Sequence, residues 1–210
     1  YLYDSLDTVE RTYLHEDVGN VLEGLYTGRT DDKVAIAPQL AWHFEEADIA
    51  EKAVHYLCPA GERAIQLSAY REGITHLAKG LSLLATLPDS LERDRQELTM
   101  QLLLGIAHIA HGTFVQEVEV NYQRARELGH RTGERAQLCQ ALGEMAIFHY
   151  VRAEHHRAYE LTQEALSEAQ LSGDPALVTW SHWHLELTLF CLGEHTAARE
   201  HLQQVIEVYD

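Results

Sequence analysis

The feature that most limits what this chain can fold into is an internal repetition. The segment LGEHTAAREHLQQVIEV, starting at Leu192, aligns with VRAEHHRAYELTQEALS, starting at Val151, and Ala198 then falls 40 residues after Ala158. A second step of 40 residues leads back from Ala158 to Val118, where EVEVNYQRAREL matches HHRAYELTQEAL. In each copy a small or β-branched residue is followed four positions on by a larger one and three further by a small one. Ala158, Thr162 and Ala165 make one set, and Ala198, Leu202 and Val205 another. Spacings of three and four put such residues on one helical face, and a self-similar period of this length belongs to stacked repeats in which each unit buries its apolar face against the next.

Helical periodicity extends beyond these copies. From Glu97 to His111, Leu98, Leu102, Leu103, Ile106, Ile109 and Ala110 share one face. Turn signals fall between the helices. Leu87-Pro88-Asp89-Ser90 stops one helix and caps the next. Ser172-Gly173-Asp174-Pro175 combines a left-handed C-cap with a first-turn proline, and turns are also expected at Gly129–Gly133 and Gly193-Glu194. Pro59 interrupts an apolar-periodic run from Ile49 to Leu67, where an interior proline costs about 3 kcal/mol, so a kink or break is expected at Cys58-Pro59. Strand alternation and Asn-Gly or Asp-Gly hairpin turns are absent from the sequence.

The second helix with its small-large-small spacing, preceded by a first helix and a tight turn, resembles the tetratricopeptide repeat. Ala41, Phe44, Ala53, Leu57 and Ala60 stand at that repeat's intervals, as do Gly73, Leu77 and Gly80. A period near 40 exceeds the consensus length, so longer helices are expected. LAWHFEEADIAEKAVHYL, AYREGITHLAKGLSLLATLP, LERDRQELTMQLLLG and QLSGDPAL are similar to the repeat region of large bacterial regulators with a STAND-type ATPase module, often fused to a class III adenylate/guanylate cyclase or a kinase domain. The stretch YLYDSLDTVERTYLHEDVGNVLEGLY resembles the end of the helical arm joining that ATPase to its repeats. The resemblance implies an all-α fold of antiparallel helical hairpins in a right-handed superhelix. The expected division is an arm at 1–30 and a repeat domain at 31–210, with units near 34–60, 61–90, 91–133, 134–173 and 174–210. It also implies a cytoplasmic segment cut from a longer protein, since the chain opens on Tyr1 rather than methionine.

Charge and motif content narrow the function. The formal charge is -17, from 33 acidic and 16 basic residues, which disfavours nucleic acid as a partner. No apolar run is long enough for a bilayer. Neither a phosphate-binding GxxxxGK[ST] loop nor GxGxxG, GxSxG or HExxH occurs, so no catalytic residue, cofactor or metal is assigned. Three separated cysteines (Cys58, Cys139, Cys191) read as reduced thiols. Among the 14 histidines, a stack of repeats could bring His149 and His156 towards His182 or His184, near Glu144 or Glu186. Ordinary surface or interhelical histidines are the simpler reading. The function expected is a non-catalytic interaction or sensory scaffold. First helices of such repeats line a groove, and the positions expected to face a protein or peptide partner are Met100, His111, Tyr150, Val151, Trp180, Trp183 and Phe190. Interhelical packing is the competing role for these side chains. The carboxylate clamp of some tetratricopeptide grooves uses a cluster of Lys, Arg and Asn, and it is not recognisable in a chain with three lysines and only Asn20 and Asn121. A small-molecule pocket near the tryptophans and a homodimer stay open as alternatives.

Overall fold

The computed structural model describes residues 2–26, 34–112 and 116–207. Helices are separated by short turns, and no strand occurs among the described residues. The chain divides into two compact units, Tyr1–Phe114 and Val115–Asp210. The first holds α1 (Leu2–Ser5), α2 (Thr8–Leu25), α3 (Ala37–Glu46), α4 (Ala50–Gln66), α5 (Tyr70–Leu84) and α6 (Leu91–Ala110). The second holds α7 (Gln116–Thr132), α8 (Arg135–Val151), α9 (His155–Ser172), α10 (Pro175–Leu192) and α11 (His195–Ile206). From α2 to α6, and again from α7 to α11, each helix packs on the one that follows it, the arrangement of antiparallel helical-hairpin repeats.

Local chemistry sets the helix ends. Asp7 and Glu10 form a reciprocal capping box at the start of α2, with bonds of 2.8 and 2.9 Å. Ser90 Oγ accepts from Arg93 N at 3.1 Å to open α6, and Asp174 Oδ1 accepts from Ala176 N at 2.8 Å to open α10. Gly173 and Gly193 take the left-handed conformation that ends a helix, with φ of 71° and 84°. Three equivalent turns use no glycine: Asp48, Ser68 and Ala153 reach φ of 57°, 61° and 60°. Because these residues pay a steric penalty in that region, glycine-based turn signals alone pass over them.

Two sequence expectations change. Helix α4 is unbroken through Pro59. Proline removes the bond to the His55 carbonyl, but Tyr56, Leu57, Ala60, Gly61 and Ala64 are buried around it, and their packing holds the helix together. Gly129 also lies within a helix rather than a turn. A Cβ there would come within 2.9 Å of Leu138 Cβ, so Gly129 permits a close α7–α8 approach, and the turn itself is made by Gly133.

The small-large-small sets are where the core sits. In unit 2, Val118, Tyr122 and Ala125 of α7 and Ala158, Thr162 and Ala165 of α9 are all buried. In the last set Ala198 is buried but Leu202 is 38% exposed, because no further helix among the described residues covers that face of α11. In unit 1, α3 and α4 share a cluster of Ala37, Leu40, Ala41, Phe44, Ala53, Tyr56, Leu57 and Ala60, in which the Phe44 and Tyr56 rings stack at 5.7 Å. A neighbouring cluster joins Val54, Leu77, Leu84, Met100 and Leu104. Helix α2 packs on this cluster. Gly19 of α2 lies against the Phe44 ring, and Glu23 accepts from Lys52 Nζ at 2.8 Å and from the Tyr56 hydroxyl at 2.5 Å.

Candidate functional site

In unit 2, α10 carries Ala176, Trp180, Trp183, Leu187 and Phe190 at alternating steps of four and three, a single helical stripe. On α8 the residues Ala136, Gln140, Glu144, Ile147 and Val151 make a corresponding stripe. The two helices touch, and between their N-terminal halves lies a groove of about 510 Å³ lined by Ala136, Gln137, Gln140, Glu144, Ala176, Leu177 and Trp180. Its width is set by one glycine. A Cβ at Gly143 would lie 1.6 Å from Trp180 Cη2, so the indole rests directly on the α8 backbone. The His184 ring packs against the indole with its centroid 3.9 Å away, and its Nδ1 donates to the Trp180 carbonyl at 2.9 Å. Burial lowers the His184 pKa, so this imidazole is neutral near pH 7.

The sequence-predicted positions separate into distinct environments. Trp180 lines the α8–α10 hollow. Trp183 and Phe190, on the same stripe, are 47% and 58% exposed, Trp183 edge-on to His184 and Phe190 beside His195. Tyr150 lies where α8 and α10 end, its hydroxyl accepting from Cys191 Sγ at 3.5 Å, and Val151 next to it is exposed. Met100 does not face a groove. It is 0% exposed, and its thioether fills the space left by Gly80, so it is a core residue of unit 1. His111 is exposed at the C-cap of α6, where it edges a shallow hollow with Ser68 to Glu72, Thr75 and His76. That hollow belongs to unit 1 and is separate from the α8–α10 stripe.

Gly143 and Gln140 are the site residues that sequence reasoning passed over, and Glu144 was considered only beside possible histidine ligands. A glycine in mid-helix was the available signal, since it costs about 1 kcal/mol relative to alanine unless something must approach closely. The Glu144 carboxylate has no hydrogen bond or ion pair among the described residues, and burial raises its pKa above the ordinary carboxylate range. The arginines around it are committed elsewhere. Arg126 meets Glu164 with bonds of 3.0 and 2.5 Å, Arg157 meets Glu119 at 3.0 Å, Arg152 meets Glu154 at 3.0 Å, and Arg135 pairs with Glu168.

The histidines considered as metal ligands go different ways. His149 Nδ1 meets Glu154 at 2.6 Å, His182 Nδ1 meets His201 Nδ1 at 2.7 Å, and His184 caps Trp180. No group of three His, Cys, Asp or Glu side chains able to hold a metal occurs among the described residues. Burial pushes the Cys58 and Cys139 thiols up to about 11, which leaves both protonated and weakly nucleophilic near neutral pH. No helix among the described residues is long and apolar enough to cross a membrane.

This geometry is that of a tetratricopeptide-like helical-repeat protein, and comparison with solved structures bears out the fold. BtubC (BKLC) from P. vanneervenii superposes with a TM-score of 0.74 at 15% identity, covering 97% of this chain and 82% of that one. The nearly identical TPR-like repeats of a Podospora anserina chain assigned to kinesin light chain give a TM-score of 0.69 at 16% identity, covering 97% and 96%. MamA protein gives 0.65 at 19% identity, covering 94% and 91%. The sequence matches no protein-family model, and no curated protein matches it either.

Proposed function

We propose that this chain is a non-catalytic protein-interaction module whose docking surface in unit 2 is the α8–α10 stripe. The observation carrying this reading is the row Trp180, Trp183 and Phe190. Large aromatic side chains stand partly or largely in solvent along one helix face, beside a groove that continues the same stripe. Aromatic side chains left in solvent offer contact area at low entropic cost, the usual composition of interface anchors. The repeat fold, in which paired helices present one face to a partner, is consistent with it. The likeness of LERDRQELTMQLLLG and QLSGDPAL to the repeats of STAND-linked regulators extends the reading to a cytoplasmic module of a multidomain bacterial signalling protein. In that setting it would report partner binding to an ATPase and an effector elsewhere. Homodimerisation and small-molecule sensing are the competing outcomes.

The test is selection of linear peptides from a displayed random library on the purified chain, followed by affinity measurement on Trp183→Ala/Phe190→Ala. The expected result is a loss of at least about tenfold in affinity with the helical circular dichroism unchanged, since interface aromatics contribute about 2 kcal/mol or more when truncated. Selected peptides that bind the double variant as tightly as the parent would overturn the α8–α10 assignment. A concentration-dependent dimer that Phe190→Ala abolishes would replace the peptide with a second copy of the chain.

A further inference from the structure

Within the α8–α10 groove, Glu144 is the polar group whose charge is unanswered. Its carboxyl is partly withdrawn from water, beside the Trp180 ring and flanked on α8 by the amide side chain of Gln140. Elsewhere in the unit Glu119, Glu154, Glu164 and Glu168 each meet an arginine, whereas Glu144, like the half-buried Glu186 of α10, has no hydrogen bond or ion pair among the described residues, and its charge acts on the Tyr122 hydroxyl of α7. The chain offers no lysine to supply one here, since Lys33, Lys52 and Lys79 all lie in the first unit. A desolvated carboxylate without a counter-ion is costly, and a cation brought by a ligand offsets that cost. The groove lining includes the apolar Ala136, Ala176, Leu177 and Trp180, which suit the aliphatic stem of a long basic side chain.

We propose that the α8–α10 groove is a subsite for an arginine or lysine side chain of a basic peptide segment, its stem along Leu177 and Trp180 and its cationic head on Glu144. This inference rests on the reading of the α8–α10 stripe as a peptide-docking surface, and it fixes the charge of the partner. Arginine fits better than lysine, because a planar guanidinium pairs in a bidentate manner with a carboxylate such as Glu144. The overall charge of -17 favours the same partner at longer range, since it draws a basic segment in and repels acidic ones.

The test uses the whole chain and a minimal probe. N-acetylargininamide and its neutral isostere N-acetylcitrullinamide are titrated while the three indole N–H resonances are followed, Trp42, Trp180 and Trp183 being assigned from single Trp→Phe variants. Argininamide is expected to shift the Trp180 resonance saturably, with citrullinamide at least about tenfold weaker, the factor that one charge-assisted contact supplies. Glu144→Gln keeps the volume and is expected to equalise the two probes without lowering the melting temperature. Equal shifts by both probes, or an unchanged argininamide affinity in Glu144→Gln, would overturn the cation subsite. The two proposals fail separately. Library peptides that lose affinity in Trp183→Ala/Phe190→Ala but carry no basic residue leave the docking surface standing and remove the cation subsite. Argininamide binding at Trp180 without any peptide selected on the stripe does the reverse.

Discussion

Replacing Gly143 by alanine sets two opposing effects against each other, and the structure decides between them. Helix propensity by itself favours alanine in the middle of α8 by about 1 kcal/mol. The new methyl would lie 1.6 Å from Trp180 Cη2, 2.4 Å from Cζ3 and 2.8 Å from Cζ2. Non-bonded carbons sit about 3.5–4.0 Å apart, so the ring must retreat by roughly 2 Å. A gap of even 0.5–1 Å already forfeits about a quarter to a half of a contact's attraction, so most of the indole's contact with α8 is lost. Overpacked sites of this kind cost about 1–3 kcal/mol. With the His184 ring already packed against the indole at 3.9 Å between centroids, the upper half of that range is expected, about 2–3 kcal/mol. After the propensity gain, Gly143→Ala is expected to destabilise by about 1–2 kcal/mol, a fall in melting temperature of roughly 2–8 °C for a chain of this size. The assay is thermal unfolding by circular dichroism in a Trp42→Phe/Trp183→Phe background, where Trp180 is the sole indole reporter and its emission should move to the red. A melting temperature raised by about 2–4 °C with unchanged emission, the result of propensity acting alone, would refute the argument.

Other perturbations give further checks. Leu77→Ala opens a cavity at a fully buried position against α4 and should cost about 2–5 kcal/mol, read as a lowered denaturant midpoint with unchanged slope. Ala153→Gly relieves a left-handed residue at φ 60° and should raise stability by about 0.5–1 kcal/mol by the same measurement, whereas a loss would mean the turn is not strained. Gly24→Ala, where a Cβ meets nothing within 4 Å, should stabilise by up to about 1 kcal/mol and so acts as the counterpart of Gly143→Ala. Burial, and secondarily the neighbouring His201, lowers the pKa of His182, and burial lowers that of His201. The unfolded chain therefore binds protons first. The stability these two contribute is complete above the ordinary histidine value of 6.5 and is lost as pH falls below it. His182→Gln should flatten the fall in melting temperature between about pH 7 and pH 5, and parallel curves for the two proteins would contradict this linkage.

Much of the fold is present in the sequence because it is local. The small-large-small sets at Val118, Ala158 and Ala198, the caps at Ser90 and Asp174, and the glycine turns at Gly173 and Gly193 each act within one or two helical turns. Any chain carrying them forms helices ending at those points. The period of 40 residues then dictates stacking, because a helical hairpin buries its apolar face only against a neighbour. The stripe Trp180, Trp183, Phe190 was legible for the same reason, since helical spacing alone puts those residues on one face.

What only the tertiary structure decided is what each face meets. Pro59 fails to break α4 because buried neighbours on both sides outweigh one missing hydrogen bond, and that outcome depends on α3 and α5. Met100 satisfies every sequence criterion for a first-helix groove position, yet Gly80 leaves a space that its thioether fills. Leu202 repeats the position of Thr162 but stays 38% exposed for want of a covering helix among the described residues. Glu144 was considered in the sequence only beside possible histidine ligands, and its lack of an arginine emerges only when Arg126 and Arg135 are seen pairing with Glu164 and Glu168. Periodicity states which residues share a face. Burial, close approach and charge pairing belong to two faces at once, so they exist only after the helices have packed.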